Sequence, residues 1–261
     1  MFYAGFNSGV VPTPLYLFFI ITLVVTVFSF NFLDIFIFQV TRSFHELFFT
    51  FFSKIIDPLS DVLDPLNIII VCSLVIFFNL NIKYLLKNKI KLKLLKEKTG
   101  LEYTKIIDTF DFYLLVCKHW IWSLATAGIL CNLIKYILGV ARPKYFFNEG
   151  FERVDFFNAL HKANSFPSGH TQAAFTLAIL LVIYVKKYHW LIFTIAALMG
   201  ISRIFMSMHF PSDILFGAYL GSLIPILLYK LYYETKMEKY RHDKMVSFSQ
   251  FVKLTYWRIF I

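Results

Sequence analysis

Residues Leu15–Leu33 form a nearly uncharged run of 19 residues, and no other feature restricts the folding of this chain more. At 1.5 Å per residue a helix of that length covers roughly 30 Å, the thickness of a bilayer's hydrocarbon core. With 58% hydrophobic, 20% aromatic and 16% charged residues over 261 positions, the composition is that of a polytopic membrane protein. A water-soluble domain of this length would carry far more charge. The net charge of +10 is the kind of balance that phosphate-backbone binding uses. Here the basic residues sit between apolar spans, where they report topology instead, so nucleic acid is set aside as a partner.

Cys72, Cys117 and Cys131 all lie in apolar stretches. Their odd number and scatter fit neither a disulfide framework nor a metal-ligand spacing, so they read as helix-packing residues. No lysine or arginine precedes Arg42, so the basic region of a cleaved signal peptide is missing and the first run is expected to stay as a transmembrane helix. Without an internal repeat or a linker, residues 1–261 read as one integral-membrane domain with a basic tail over 234–261.

The expected fold class is all-α, a six-span transmembrane bundle. The spans are read as Leu15–Leu33, Leu66–Ile82, His119–Leu138, Ser168–Val185, Trp190–Met208 and Ile214–Leu231. Between the first two, Ile35–Phe52 is apolar but interrupted by Arg42, His45 and Glu46, with Arg42 and Glu46 at an i,i+4 spacing. It is expected to be an amphipathic helix at the interface, with a further true span as the alternative. Asp57-Pro58 to Asp64-Pro65 reads as an acidic, helix-stopping segment.

Lys83, Lys87, Lys89, Lys91, Lys93, Lys96 and Lys98 oppose the single Glu97 in a run that suits anionic headgroups. Nine basic residues lie in Lys83–Lys118, two at Lys186-Lys187 and seven from Lys230 onward. By the positive-inside rule these segments, and both termini, are expected to be cytoplasmic. The remaining cations concentrate on the other side, where that rule disfavours them, and ionisable residues kept in such places are functional candidates.

Three clusters carry the chemistry. Lys135 and Arg142 are seven residues apart, nearly two helical turns, so both are expected on one helix face with Pro143 ending the helix. Pro167-Ser168-Gly169-His170 opens directly into an apolar run. A helix N-terminus offers unpaired N–H groups and the positive end of the dipole to an anion. Ser168 also suits a simple N-cap, Gly169 permits close approach, and His170 suits proton transfer near neutral pH. In the third cluster, Ser202-Arg203 leads to His209 and, four residues on, to Asp213, a spacing at which a carboxylate can fix an imidazole's tautomer. Alternating span directions bring the end of the third span, the start of the fourth and the junction of the fifth and sixth to one membrane face. Cations, a helix N-terminus and two histidines meeting there describe a site for a phosphate monoester or diphosphate.

These residues resemble the type 2 phosphatidic acid phosphatase superfamily, integral-membrane lipid phosphatases related to vanadium haloperoxidases and bacterial acid phosphatases. The signatures Lys-x6-Arg-Pro, Pro-Ser-Gly-His and Ser-Arg-x5-His-x3-Asp are complete and in order, from Lys135 to Pro143, Pro167 to His170 and Ser202 to Asp213. The resemblance implies that His209 is a nucleophile forming a phosphohistidine and that Asp213 orients it. His170 would protonate the leaving lipid oxygen and then activate water. Lys135, Arg142, Ser168, the Gly169 amide and Arg203 would hold the phosphoryl oxygens. It implies no metal or other cofactor, a bilayer-embedded lipid phosphate as substrate, and an active site at the periplasmic face of a bacterial inner membrane.

Among bacterial substrates of such enzymes, a lipid A phosphate is the favoured expectation, beside undecaprenyl diphosphate, phosphatidylglycerol phosphate and phosphatidic acid. The same residues would serve a lipid phosphotransferase, and a cationic pocket alone would serve a non-catalytic lipid transporter. The connection Lys144–Phe166 reads either as a closing and selecting loop or as an ordinary polar one.

Overall fold

A computed structural model describes residues 13–80, 88–185, 187–240 and 248–260. The far end of the second expected span at Ile82, the lysines Lys83, Lys87 and Lys186, and part of the tail lie outside them. The described residues are helical throughout their ordered elements, with one isolated antiparallel bridge between Val140 and Val154. Among them, Tyr16–Arg42, Glu46–Asn79, Tyr103–Leu138 and Pro211–Glu238 are long and apolar enough to cross a membrane. Gly169–Val185 and His189–Phe205 are shorter apolar helices of 17 residues each. Large apolar side chains such as Val24, Phe32, Phe36, Ile129 and Leu215 stand exposed along these helices, as lipid-facing residues do.

The first helix does not stop at Leu33 as the sequence suggests. A π-helical turn, Ser29–Leu33, carries it on into Asp34–Arg42. Asp34 interrupts nothing, because its carboxylate is fully buried and hydrogen-bonded. The chain breaks instead at Ser43–His45, where Ser43 Oγ donates to Val40 O at 2.8 Å and His45 Nδ1 caps the next helix by accepting Leu47 N at 3.2 Å. The stretch expected as an interfacial helix, Ile35–Phe52, is therefore divided, its first part continuing one long helix and its second starting another. Arg42 also has a different partner from the expected Glu46. Its guanidinium donates to Ile204 O, Phe205 O and Ser207 Oγ, meeting carbonyls at the end of the helix His189–Phe205 that have no partner within it. The acidic segment likewise stops less than expected: Pro58 lies within the helix Asp57–Val62, and the chain turns only at Leu63–Asp64, where Asp64 Oδ1 accepts Leu66 N at 2.8 Å.

The chain forms two compact units. One comprises Met1–Val62 and Ala127–Ser222 and the other Leu63–Thr126 and Leu223–Ile261. In the first, the helices Gly169–Val185 and Pro211–Leu228 approach at Gly217 and Gly221. A Cβ at Gly217 would lie 2.7 Å from Ser168 O, and one at Gly221 2.2 Å from Gln172 O. Small residues at this four-residue spacing let membrane helices meet backbone to backbone. Pro225 has no N–H and so leaves Gly221 O without its helical donor. Thr176 Oγ1 donates to that carbonyl at 3.0 Å. Phe38, Ile204 and Phe210 form a small buried cluster with Phe146 and Ile214 against it.

In the second unit the lysine-rich helix Lys89–Thr99 starts on an Asn88 cap, whose Oδ1 accepts Ile90 N at 3.0 Å. It ends at Gly100 in the left-handed region. Leu95 packs with Ile106, Phe110, Phe251 and Leu254, so the tail, whose form the sequence left open, supplies the helix Phe248–Phe260 to this core. His119 is fully buried and its Nε2 lies 3.0 Å from Pro225 O.

Candidate active site

All three motifs lie in the first unit. Lys135 is in the last turn of the helix Tyr103–Leu138, but Arg142 is not on that helix, contrary to the shared face expected from their spacing. Gly139, at φ +56°, ends it, with its N–H donating to Lys135 O at 2.9 Å. A Cβ here would overlap Asp155 O, which sits this close because Asp155 N donates to Gly139 O at 2.9 Å. Only glycine satisfies both the backbone angle and the close approach. Val140 then bridges to Val154, and Pro143 begins the short helix Pro143–Glu149. A proline at the first helical position costs no hydrogen bond.

The second motif follows the cis Phe166–Pro167 peptide. Ser168 is fully buried, and its Oγ accepts from Thr171 Oγ1 at 2.9 Å and Thr171 N at 3.4 Å, so it does cap the helix Gly169–Val185. Its own N–H donates to Asp213 O at 3.0 Å, which joins the second motif to the third. Gly169 lies beside Lys135, whose Cε would be 3.9 Å from an added Cβ. Lys135 itself is buried and donates through Nζ to Asn164 O at 2.8 Å and Ser165 O at 3.2 Å. His170 is exposed in the first turn of the helix.

His209 lies in the turn between the helices His189–Phe205 and Pro211–Leu228, and Asp213 in the first turn of the second of them. His209 is 3% exposed and Asp213 fully buried. Nδ1 of the ring is 3.4 Å from Asp213 Oδ2. The same oxygen accepts Phe210 N at 2.7 Å and Ser165 Oγ at 2.5 Å, and Ser165 Oγ is also 3.3 Å from His209 Nδ1. With Nδ1 turned to this carboxylate and hydroxyl, Nε2 is the nitrogen left for chemistry. Burial first, then the charges of Lys135, Arg142, His170 and Arg203, holds the His209 pKa well below the ordinary imidazole range. The ring is neutral at pH 7.

The guanidiniums are more committed than the sequence implies. Arg142 Nη1 is 3.4 Å from Met208 Sδ, next to His209. Arg203 Nη2 pairs with Asp57 Oδ1 at 2.6 Å and donates to Ser60 Oγ. Arg142 Nε and Arg203 Nε are buried without a hydrogen-bond partner among the described residues. Such an N–H costs free energy unless an acceptor reaches it. Lys135, Arg142, Ser168, Gly169, His209 and Asp213 thus lie together, with Arg203 bonded to the turn through its carbonyl, which accepts Met208 N at 3.0 Å and His209 N at 3.2 Å. Asp57, Ser60 and Ser165 lie outside the motifs, and in the sequence only the proximity of Ser165 to the second motif points to any of them. Among the described residues no group of three His, Cys, Asp or Glu side chains is arranged to hold a metal ion.

Residues 118–237 match the family model of the PAP2 superfamily. A lipid A 1-phosphatase of Rhizobium johnstonii is 29% identical over 161 residues, 61% of this chain and 59% of the relative. An undecaprenyl-diphosphatase of Sulfolobus acidocaldarius is 31% identical over 110 residues, 40% of this chain and 50% of the relative. The chain thus covers less than two thirds of either relative's length. The crystal structure of Aquifex aeolicus LpxE is 25% identical with a TM-score of 0.40, covering 76% of this chain and 95% of that one. The segment that matches the PAP2 superfamily model, residues 118–237, is the one that holds all three motifs.

Proposed function

We propose that the protein is an integral-membrane lipid phosphate phosphatase that hydrolyses a phosphate monoester or diphosphate through a phosphohistidine at His209. The observation that carries this reading is the buried His209–Asp213 pair, 3.4 Å apart, set among Lys135, Arg142 and Arg203. Binding an anion explains the cations. It gives no reason to bury a neutral histidine with its Nδ1 against a carboxylate, and nucleophilic catalysis does.

In the first step His209 Nε2 attacks phosphorus, the bond from phosphorus to the leaving oxygen breaks, that oxygen being the lipid's in a monoester and the bridging one in a diphosphate, and His170 gives it a proton. In the second, water attacks the phosphohistidine while His170 takes its proton, and inorganic phosphate leaves. Asp213 steadies the positive charge that His209 gains on attack. Lys135, Arg142, the Gly169 amide and Arg203 face charge spread over the equatorial oxygens. The Nε groups of Arg142 and Arg203, without a partner among the described residues, are donors that phosphoryl oxygens would satisfy. Ser168 contributes through its cap, which aims the first amides of the helix. Fixed protein cations supply the electrophilic charge, so the reaction is assigned no metal.

The six-span architecture rests on the four long helices and the two shorter apolar ones. The distribution of basic residues supports cytoplasmic termini and a periplasmic site in a bacterial inner membrane. A lipid A phosphate is the favoured substrate, in keeping with the lipid A 1-phosphatase among the relatives. Undecaprenyl diphosphate, phosphatidylglycerol phosphate and phosphatidic acid are the competitors.

The test is phosphate release by the purified protein across these four lipids, with and without chelator and vanadate, and with His209→Ala as control. Release from at least one lipid that is abolished by His209→Ala, blocked by vanadate and unchanged in chelator is expected. Undiminished turnover by His209→Ala would remove the nucleophile. Loss in chelator with recovery on adding magnesium would mean a different mechanism. Label passing from the donor to a second lipid instead of to free phosphate would make the protein a phosphotransferase.

A further inference from the structure

Asp34 and Arg153 lie outside every motif, and each is unusual for its position. Asp34 is a fully buried carboxylate in an apolar helix, immediately after the π-helical turn Ser29–Leu33. Such turns are rare and occur frequently at functional sites. Here Asp34 points at the turn that carries His209. Its Oδ1 accepts Ser212 N at 2.9 Å and Ser29 Oγ at 3.0 Å, and its Oδ2 accepts Ser212 Oγ at 2.6 Å and a hydrogen bond from Arg153 Nη2. Ser212 stands between His209 and Asp213 in sequence and is itself fully buried. Its N–H is among those of the first helical turn that the helix cannot satisfy. A carboxylate 178 residues away does so instead.

Arg153 completes the arrangement. Its guanidinium lies over the ring of Phe210, 3.6 Å from the centroid, and over that of Phe30 at 4.5 Å. Its backbone carbonyl accepts Ala141 N at 3.2 Å, one residue before Arg142. One residue therefore touches the His209 turn, the first long helix and the Arg142 segment. The plain alternative is a fold clamp, in which the pair only neutralises buried charge. A clamp would not require each carboxylate oxygen to take a hydrogen bond from Ser212, one of the three residues between the nucleophile and its orienting acid.

We propose that Asp34 and Arg153 form a positioning pair that fixes the turn His209–Asp213 against the Arg142 segment, so that His209 Nε2 and the cations address the same phosphoryl group. This rests on the lipid phosphatase reading. Acting through the His209 turn and the Arg142 segment, the pair affects the chemical step more than binding. A displacement of about 1 Å at a reacting group costs about 100-fold in rate.

The experiment compares Asp34→Asn, Arg153→Met, Arg153→Lys and the double variant Asp34→Asn/Arg153→Met with wild type and His209→Ala. Each is purified in detergent, with kcat and KM measured on the best lipid phosphate and the folded fraction measured by thermal unfolding. The expected result is a fall in kcat of about 10- to 100-fold for Asp34→Asn and Arg153→Met. KM should stay within about threefold of wild type, and the double variant should be no slower than the slower single one, as for residues acting as a unit. Arg153→Lys, which keeps the charge, should recover part of the loss. Wild-type kcat in both single variants, a loss confined to KM, or a loss of activity that only tracks the loss of folded protein overturns the positioning role. Wild-type protein inactive on every lipid phosphate overturns the phosphatase reading and this inference with it, whereas active wild type beside unaffected variants overturns this inference alone.

Discussion

His209 Nδ1 and Asp213 Oδ2 are 3.4 Å apart, and neither side chain has appreciable access to solvent. The carboxylate can therefore dictate the imidazole tautomer. Asn at 213 would keep an acceptor for Ser165 and for Phe210 N through its oxygen, but its amide group would favour the tautomer with the proton on Nε2. That proton blocks the attacking nitrogen. Asp213→Asn is expected to lower kcat by roughly 10² to 10⁴ while leaving the protein folded. Steady-state phosphate release and a thermal unfolding curve on the same preparation check both halves.

Ser165 donates to the same carboxylate oxygen at 2.5 Å and is fully buried. Hydrogen bonds to charged groups contribute about 1.5–3 kcal/mol, and a buried acceptor left short of a donor costs a similar amount. Ser165→Ala should lose stability of that order and slow turnover by on the order of tenfold, since one tenfold step corresponds to about 1.4 kcal/mol. Cys at 165, a weaker donor of similar size, should fall between. Equal unfolding temperatures and rates for wild type and Ser165→Ala would leave the hydroxyl without a role.

The motifs were legible because each is local. Ser168 to His170 announces a helix start, and His209 to Asp213 is one i,i+4 step. What sequence reasoning missed lies in long-range partners. Arg203 meets Ser60 across 143 positions and Ser212 meets Asp34 across 178, and nothing local in Asp34 or Ser60 records that. A second difference is between spacing and backbone. Seven residues from Lys135 to Arg142 suit a helix, yet Gly139 ends it at φ +56°, and a glycine so placed was the available signal. The third concerns charge. Arg42, His45 and Glu46 mark Ile35–Phe52 as an interfacial helix in the sequence, but Arg42 and the preceding Asp34 are matched by partners from distant segments, so the helix runs past Asp34 and ends at Arg42.

Burial and the surrounding cations hold the His209 pKa well below the ordinary value of about 6.5. In the folded state His209 stays neutral, whereas the unfolded chain takes up a proton once pH falls below about 6.5. The unfolded state then binds more protons, so this group's contribution to stability is fully present above that pH. It is lost progressively as pH falls from about 6.5 towards the depressed folded value. His209→Ala removes the effect. The unfolding temperature of wild type relative to His209→Ala should therefore decline between pH 7 and pH 5. A constant or rising difference over that range would contradict a neutral buried imidazole. Turnover should likewise keep its unprotonated nucleophile to a more acidic pH than a free histidine would allow.

Gly217 tests whether the approach of two helices sets the site. An added Cβ would lie 2.7 Å from Ser168 O, and the backbone of Ser168 cannot yield without moving its N–H away from Asp213 O, 3.0 Å off. Gly217→Ala is expected to cost about 1–3 kcal/mol through overpacking. It should also reduce kcat beyond what the folded fraction explains, because the strain falls on the junction of the second and third motifs. Gly128 gives the matched control. It is helical, and a Cβ there meets nothing within 4 Å, so Gly128→Ala should be neutral or stabilise by up to about 1 kcal/mol from propensity alone. Measuring unfolding temperature and kcat for both variants separates the two effects of one methyl group. If Gly217→Ala behaves as Gly128→Ala does, close packing at Gly217 does not govern the geometry of Ser168 and Asp213.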